Sequence, residues 1–344
     1  MLNQMNKGLL VIAGPCSAET KHQVLSTAKL IDNIGGVEWF RAGIWKPRTM
    51  PNQFEGVGSR GLKWIEEVKE TTSLKVMTEV ANPYHVEKVL ESKLDGVWIG
   101  ARTTTNPFYV QEIVESLKGV DIPVFIKNPI NPDINLWIGG IERFLKSGNN
   151  KIYAIHRGFS FIDNGKYRQT PYWQIPIELK RLMPQIPIIC DPSHISGKSS
   201  LVSDIAKTSV SIGFDGLMLE VHNNPDSALT DKSQQITPKE LKTLLNNIRI
   251  PQNPISNLES INTLRGEIDK LDMDLIDIIS KRMGISIELA QIKKVNNIPI
   301  LQINRWEEMI RLRLELADEK NINKEFIKEI FEKIHEESIR IQGQ

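Results

Sequence analysis

The chain of 344 residues has little cysteine, no excess of charge of either sign and no long apolar run. Its two cysteines, Cys16 and Cys190, are too few for a disulfide framework and are typical of a reducing compartment. The 43 basic and 42 acidic residues leave a net charge of +1, without the basic excess that binds nucleic acid. Only a short apolar run precedes Gly14, too short for a signal peptide or a membrane span. We therefore expect a cytoplasmic protein with no nucleic-acid or membrane partner.

Proline is nearly absent from the last quarter of the chain. After Pro254 only Pro299 remains, and Asp, Glu, Lys, Ile and Leu dominate. Apolar residues from Leu258 to Ile292 recur with helical spacing and predict one helix of nearly forty residues. Two further helices are predicted at about 304–320 and 323–341. The predicted organisation has three parts, which are a first domain at 1–250, a linker at 251–257 and a small all-helical domain at 258–344.

Eight short apolar runs recur in the first domain, separated by stretches with helical spacing. The runs are rich in Val, Ile and Leu and do not alternate with polar residues, as expected for strands buried on both faces. Eight strand–helix units predict an α/β fold, the (β/α)8 or TIM barrel, whose active site lies at the C-terminal strand ends. The residues that follow the runs are suited to catalysis and read GPCSAE, RAGIWKPRT, TEV, GAR, KNP, HRG, DPSH and EVH.

Four potential metal ligands follow the first, seventh and eighth runs, namely Cys16, His194, Glu220 and Asp231. Taken singly, a cysteine after a strand is more often a core residue, and a histidine in a loop is more often a surface residue. Their joint placement on strands that are neighbours in a closed barrel predicts a metal site. A thiolate, an imidazole and two carboxylates suit one first-row divalent ion such as Mn, Co, Zn or Fe.

The other strand ends carry cations, which are Arg41, Lys46, Arg48, Arg102, Lys127 and Arg157. Any one of them has the ordinary explanation of a solvated surface charge. Six cations at one barrel mouth would repel each other unless anions bind there. Arginine and lysine bind phosphate and carboxylate groups. The mouth is therefore predicted to hold two phosphates, or a phosphate and a carboxylate, beside the metal.

Together these motifs resemble the 3-deoxy-D-arabino-heptulosonate 7-phosphate synthases (DAHP synthases) of the class I β-type, from residue 8 to about 250. The resemblance implies condensation of phosphoenolpyruvate with erythrose 4-phosphate, the entry step of aromatic amino acid biosynthesis. A sister family uses arabinose 5-phosphate and shares the barrel and the metal ligands. Its loop resembles KAN where this chain has Lys46-Pro47-Arg48-Thr49, which favours the four-carbon sugar.

The resemblance also implies a role for each motif residue. The metal ligands match Cys16, His194, Glu220 and Asp231, and the ion would polarise the aldehyde as a Lewis acid. The phosphoenolpyruvate site matches Arg41, Lys46, Glu79, Ala101, Arg102, Lys127 and Arg157. The erythrose 4-phosphate site matches Lys46, Pro47, Arg48 and Thr49. Lys46, placed between both substrates, is the candidate catalytic proton donor.

Arg265, Arg282 and Lys293 stand out on the long predicted helix, although most such charges belong to a solvated face. At about 1.5 Å per residue, Arg265 and Lys293 are roughly 42 Å apart. One small-molecule site can use both only if two such helices run antiparallel in a homodimer. The segment from Leu258 to Gln342 resembles the all-helical chorismate mutases, which have this arrangement. This second resemblance implies a Claisen rearrangement of chorismate to prephenate and a bifunctional transferase and isomerase.

The matching chorismate or prephenate site consists of Arg265 from one subunit with Arg282, Lys293, Arg305, Ser338 and Gln342 from the other. Lys293 and Gln342 would be catalytic, because they stabilise charge on the breaking ether oxygen. Two residues depart from the pattern. Trp306 stands where a glutamate usually contacts the substrate hydroxyl, and Gln302 where an aspartate is common. The alternative is a catalytically silent dimerisation and sensing module that binds chorismate or prephenate and regulates the barrel.

Overall fold

The structure is a computed structural model that describes residues 8–47, 50, 52–160, 165–251 and 258–343. It divides into two compact units, Met1–Gln252 and Asn253–Gln344. No described helix combines the length and the apolar character that crossing a membrane requires.

The first unit is a closed barrel of eight parallel strands in sequential order. The strands are β1 (Leu10–Gly14), β2 (Trp39–Arg41), β3 (Lys75–Val80), β4 (Gly96–Ile99), β5 (Val124–Lys127), β6 (Ile152–His156), β7 (Ile188–Cys190) and β8 (Gly216–Glu220). Every predicted apolar run contributes one strand, and the predicted barrel is confirmed. β8 closes the barrel by pairing with β1 over five residue pairs, from Leu10 with Gly216 to Gly14 with Glu220.

Side chains fill the barrel interior, so the barrel has a packed core. Each strand supplies one buried residue to this inner cluster, which consists of Ile12, Trp39, Met77, Trp98, Phe125, Ile155, Ile189 and Met218. The rings of Trp39 and Phe125 meet edge to face with centroids 5.4 Å apart. A second, larger core lies between the strands and the surrounding helices. These two layers hold the strand ends in fixed positions.

Ten helices accompany the strands of the described barrel. They are α1 (Lys21–Asp32), α2 (Leu62–Thr71), α3 (Pro83–Glu91), α4 (Ala101–Thr104), α5 (Pro107–Ser116), α6 (Ile134–Lys146), α7 (Gln174–Leu182), α8 (Pro192–Ser196), α9 (Ser199–Ile212) and α10 (Pro238–Asn247). Several of these helices are capped at the N-terminus by short polar side chains such as Thr20, Asn82 and Asp133, which accept hydrogen bonds from backbone N–H groups.

The second unit consists of three helices, α11 (Leu258–Val295), α12 (Ile303–Glu319) and α13 (Lys324–Gln342). α11 is continuous over 38 residues, as its apolar spacing predicts. Many of its apolar side chains are exposed within one chain, including Ile268, Leu271, Leu275 and Ile278. Such a face needs a cover that one copy of these helices does not supply.

Candidate active sites

The C-terminal strand ends surround a cavity of about 670 Å³. Most of the predicted site residues line it, namely Lys46, Pro47, Glu79, Ala101, Arg102, Lys127, Arg157, His194 and Asp231. Arg41, Lys127 and Glu220 are the last residues of β2, β5 and β8, so regular strand geometry places them at this mouth. Arg48 and Thr49 lie outside the described residues.

The predicted metal ligands come together beside this cavity. Ligand atoms of Cys16, Glu220 and Asp231 all lie within 4.8 Å of one another. The Cys16 thiol donates a hydrogen bond to Oδ2 of Asp231 at 3.3 Å. The fourth candidate, His194, has its Nε2 atom 3.8 Å from Oε1 of Glu220. Sulfur, nitrogen and oxygen donors at this spacing fit a first-row divalent ion.

Burial controls the protonation of the Cys16 sulfur. Because the side chain is fully buried and Glu220 is close, the pKa of the thiol is raised to about 12. Lys46 partly offsets this, since its ammonium group donates to the Cys16 sulfur at 3.2 Å and to the Cys16 carbonyl oxygen at 3.1 Å. Without an ion the sulfur is therefore a thiol at neutral pH, and a metal must displace its proton.

Asp191 connects the candidate ligand His194 to a cation of the mouth. Its Oδ2 atom lies 2.8 Å from both Nδ1 of His194 and Nζ of Lys127. Its Oδ1 atom accepts the backbone N–H of His194, which caps α8. Burial alone would raise the pKa of Asp191, but His194 and Lys127 hold it well below its usual range. The Asp191 carboxylate thus lies between the imidazole ring and the Lys127 ammonium group.

Arg41 and Glu220 form a fully buried ion pair with Nη2 and Oε1 3.2 Å apart. The guanidinium group also lies over the Trp98 ring, 4.8 Å from its centroid. Nε and Nη1 of Arg41 are buried and have no hydrogen-bond partner among the described residues. Unpaired buried N–H donors are costly, so these two favour an anion at the mouth.

Glu79 is held at the end of β3 by a bond from a neighbouring strand. The indole N–H of Trp98 donates to Oε2 of Glu79 at 3.0 Å. Gly100 makes room for this carboxylate, because a Cβ atom there would lie 2.2 Å from Oε1 of Glu79. Ala101 and Arg102 begin α4 directly after this glycine. Arg102 therefore lies two residues after the glycine that contacts the Glu79 carboxylate.

Arg157 directly follows β6 and is largely buried. Its backbone N–H donates to Oδ1 of Asn128 at 2.7 Å, and its Nη1 donates to Oε1 of Gln169 at 2.9 Å. Burial lowers the pKa of its guanidinium group to about 10, only partly offset by Asp191. The side chain nevertheless stays a cation at neutral pH and can pair with a phosphate or carboxylate.

Arg168 and Gln234 contact the candidate metal ligands but are not among the residues predicted from the sequence. Arg168 donates to Oδ1 of Asp231 at 2.9 Å and to Oε1 of Gln234 at 2.7 Å. Gln234 in turn donates to Oε2 of Glu220 at 2.6 Å. Neither residue follows a strand directly. The only sequence signal is the position of Gln234 three residues after Asp231.

Four further predicted residues lie on α11 and α13 of the other unit. Nη1 of Arg282 donates to the Ser338 hydroxyl, which joins α11 to α13. Lys293 is buried and donates to the Ile300 carbonyl oxygen at 2.7 Å. Oε1 of Gln342 is buried without a hydrogen-bond partner among the described residues. Arg282 and Ser338 are therefore joined directly, while Lys293 and Gln342 lie on the same two helices.

The remaining predicted residues of this unit are placed differently. Arg265 is exposed near the start of the continuous α11, so it cannot reach the Lys293 end within one chain. Arg305 is also exposed and pairs with Glu308, whose Oε2 is 2.6 Å away. Trp306 stacks on His335 with ring centroids 4.0 Å apart. An aromatic pair thus stands where the mutase pattern has a glutamate.

Two family models match the chain. One, described as the DAHP synthetase I family, matches residues 2–250, and the other, chorismate mutase type II, matches residues 264–343. A phospho-2-dehydro-3-deoxyheptonate aldolase of Thermotoga maritima is 30% identical over 239 residues, which is 70% of this chain and 68% of the relative. The crystal structure of a DAHP synthase from that organism has a TM-score of 0.63 at 29% identity and covers 69% of this chain and 67% of its own.

A second kind of relative is also similar. A 2-dehydro-3-deoxyphosphooctonate aldolase of Campylobacter jejuni subsp. doylei is 26% identical over 280 residues, which is 72% of this chain and 100% of the relative. The names of these relatives thus refer to two different compounds, a deoxyheptonate and a deoxyphosphooctonate.

Proposed function

This chain belongs to the DAHP synthetase I family, and its transferase barrel is followed by a chorismate mutase domain, which is an isomerase; on this premise we propose two reactions. The barrel condenses phosphoenolpyruvate with erythrose 4-phosphate in a metal-dependent reaction, and the helical domain converts chorismate to prephenate. The contact between Nζ of Lys46 and the sulfur of Cys16, 3.2 Å apart, is the main support for the condensation. It joins the cation-rich cavity to the metal donor cluster, by which we mean Cys16, His194, Glu220 and Asp231.

In the proposed barrel reaction, a bound divalent ion would supply Lewis acidity to the aldehyde. Cys16, His194, Glu220 and Asp231 would hold the ion. Arg41, Lys127 and Arg157 bind the carboxylate and phosphate of phosphoenolpyruvate, whose C3 forms a bond to the aldehyde carbon. Lys46 gives a proton to the former aldehyde oxygen, which becomes the new hydroxyl group. Water adds at C2, and inorganic phosphate leaves by cleavage of the C–O bond.

The sugar substrate follows from the loop that begins at Lys46. We infer erythrose 4-phosphate because Lys46-Pro47-Arg48-Thr49 matches the four-carbon synthases by sequence, while Lys46 and Pro47 line the cavity. The test supplies the full chain with phosphoenolpyruvate, Mn²⁺ and either erythrose 4-phosphate or arabinose 5-phosphate, and follows the loss of phosphoenolpyruvate. We expect kcat/KM at least 100-fold higher for the four-carbon sugar. Equal or inverted preference overturns this assignment.

The mutase proposal rests on the Arg282–Ser338 bond together with the buried Lys293. Arg282 binds a substrate carboxylate. Lys293 and Gln342 donate to the ether oxygen as its bond breaks. A Claisen rearrangement needs no acid, base or nucleophile, so positioning and charge stabilisation are sufficient.

Lys293→Met separates catalysis from the silent sensing alternative. We expect this variant of the full chain to lose chorismate turnover by about 100-fold or more, while the condensation rate is unchanged. Lys294→Met, at the exposed neighbouring position, is the matched control and keeps both activities. A wild-type chain that binds chorismate without consuming it supports the sensing module and overturns the mutase.

We also propose that the helical unit forms a homodimer. Arg265 is needed by the mutase pattern but lies about 42 Å along a continuous helix from Lys293, so a partner must supply it. The exposed Ile268, Leu271 and Leu275 give that partner an apolar face to cover. Analytical ultracentrifugation of the full chain tests this directly, and a monomer at micromolar concentration contradicts it.

A further inference from the structure

Arg168 connects three segments that meet at the metal donor cluster. Its backbone N–H donates to the Ser196 carbonyl oxygen at 3.3 Å, and the next residue, Gln169, donates to Ile195 at 3.1 Å. These bonds attach the segment after β6 to α8, the helix that carries His194. The arginine side chain then extends from this attachment to the loop after β8, where Asp231 lies.

The Arg168 side chain packs closely against a glycine, Gly197. Gly197 ends α8 in the left-handed conformation, with φ of +66°. A Cβ atom at Gly197 would lie 2.5 Å from Cβ of Arg168, too close for any other residue without a shift. The Arg168 side chain therefore lies against a position that only glycine fills without strain.

The contacts of Arg168 fix one oxygen of each candidate ligand carboxylate. Oδ1 of Asp231 accepts from Arg168, while Oδ2 of the same group faces the Cys16 sulfur at 3.3 Å. Gln234 accepts from Arg168 and donates to Oε2 of Glu220, leaving Oε1 3.8 Å from Nε2 of His194. Oδ1 of Asp231 and Oε2 of Glu220 are thus held. Oδ2 of Asp231 faces Cys16, and Oε1 of Glu220 faces both His194 and the Arg41 guanidinium group.

Asp231 needs such support, because its backbone has φ of +45°. A residue other than glycine in this region is strained and keeps its conformation only when its surroundings hold it. The bond from Arg168 supplies one such restraint at the side chain.

We propose that Arg168, acting with Gln234, is a positioning residue that sets the geometry and affinity of the metal site. This inference rests on the metal-dependent reaction proposed above. Partners that orient ligands in this way typically contribute 10- to 100-fold to metal affinity. Arg168 contacts Asp231 directly and Glu220 through Gln234, so its effect would reach the ion through these two carboxylates.

The test measures Co²⁺ binding to the full chain by chelator competition and by the visible and thiolate charge-transfer absorption of the bound ion. We expect Arg168→Met to lower Co²⁺ affinity by 10- to 100-fold and to change the visible bands. Arg168→Lys should recover part of the affinity, because it keeps one charged donor. Arg143→Met is the matched control, since Arg143 also donates to a glutamine, Gln111 at 2.7 Å, away from the mouth.

Four outcomes overturn the proposal. A folded Arg168→Met chain with wild-type Co²⁺ affinity and spectrum shows that the arginine does not position the site. A raised KM for either substrate at unchanged metal affinity assigns Arg168 to substrate binding instead. An equal loss of affinity in Arg143→Met indicates general destabilisation. Failure of the wild-type chain to give a Cys16-dependent Co²⁺ band removes the proposed metal site, and with it this inference.

Discussion

The ammonium group of Lys46 lies 3.2 Å from the sulfur of Cys16. One residue is the candidate proton donor and the other a candidate metal ligand, so the two proposed roles meet in a single contact. Metal binding at the sulfur and protonation at the lysine are therefore electrostatically linked. A thiolate held by an ion attracts the lysine proton, whereas the neutral thiol of the metal-free chain attracts it less.

Metal uptake should release about one proton per ion between pH 6 and 9. Burial holds the pKa of Cys16 at about 12, so the thiol is protonated throughout this range and must lose its proton to bind. Apparent affinity should therefore rise as pH rises, by about tenfold per unit. Proton release into weakly buffered solution measures it. Cys16→Ser should lose proton release and condensation activity but keep mutase activity. Cys190→Ser, which changes the buried cysteine of β7, should keep proton release, condensation and mutase activity. Release that persists in Cys16→Ser contradicts the prediction.

Arg41→Met should lower the free energy of unfolding of the barrel by about 3–5 kcal/mol, because it leaves the buried Glu220 carboxylate without its cation. Urea unfolding without metal measures the loss, and adding Glu220→Gln should recover part of it. The exposed pair of Arg181 with Glu178 is the control, and Arg181→Met should cost less than about 1 kcal/mol. If Arg41→Met and Arg181→Met lower the free energy of unfolding equally, burial does not increase the contribution of the Arg41–Glu220 pair to stability.

Gly100→Ala should raise the KM for phosphoenolpyruvate by tenfold or more. The added methyl group would meet Oε1 of Glu79 at 2.2 Å and displace the carboxylate that Trp98 holds. Overpacking of this kind also costs about 1–3 kcal/mol of stability. Gly139→Ala in α6 meets no atom within 4 Å and should instead stabilise the chain by up to about 1 kcal/mol. Steady-state kinetics and thermal unfolding of the two variants check this, and an unchanged KM in Gly100→Ala would contradict it.

Arg265→Ala and Arg282→Ala should each abolish mutase activity, yet a mixture should regain it. In a mixed dimer one site carries both substitutions and the other carries neither. Equal mixing after subunit exchange makes half the dimers mixed, so activity should return to about a quarter of wild type. Exchange followed by a chorismate assay measures the recovery. No recovery after demonstrated exchange would place both arginines in one chain's site.

The barrel could be predicted because strands buried on both faces leave uninterrupted apolar runs, and the residue after each run is then known to lie at the mouth. That reasoning finds Cys16, Lys127 and Glu220, which the structure brings to one end of the barrel. Their chemical roles remain predictions. It also finds the long helix of the second unit, whose apolar spacing is unbroken.

The partners of these residues could not be predicted. Sequence order does not tell which cation pairs with which carboxylate, so the bonds from Arg41 to Glu220 and from Lys127 to Asp191 appear only in the structure. The sequence does not indicate Arg168 for a related reason. It lies in a loop without strand or helix periodicity, and its position depends on tertiary bonds to α8.

The seam between β1 and β8 has a consequence for synthesis of the chain. Cys16 and Asp231 lie just beyond that seam and are 215 residues apart in sequence, although their side chains touch. On the ribosome the N-terminus emerges first, so Cys16 leaves the exit tunnel long before the other three proposed ligands. A nascent chain therefore has no complete donor set until the loop after β8, which carries Asp231, is out. Metal held by all four ligands consequently marks a chain in which β8 has been made and has closed against β1.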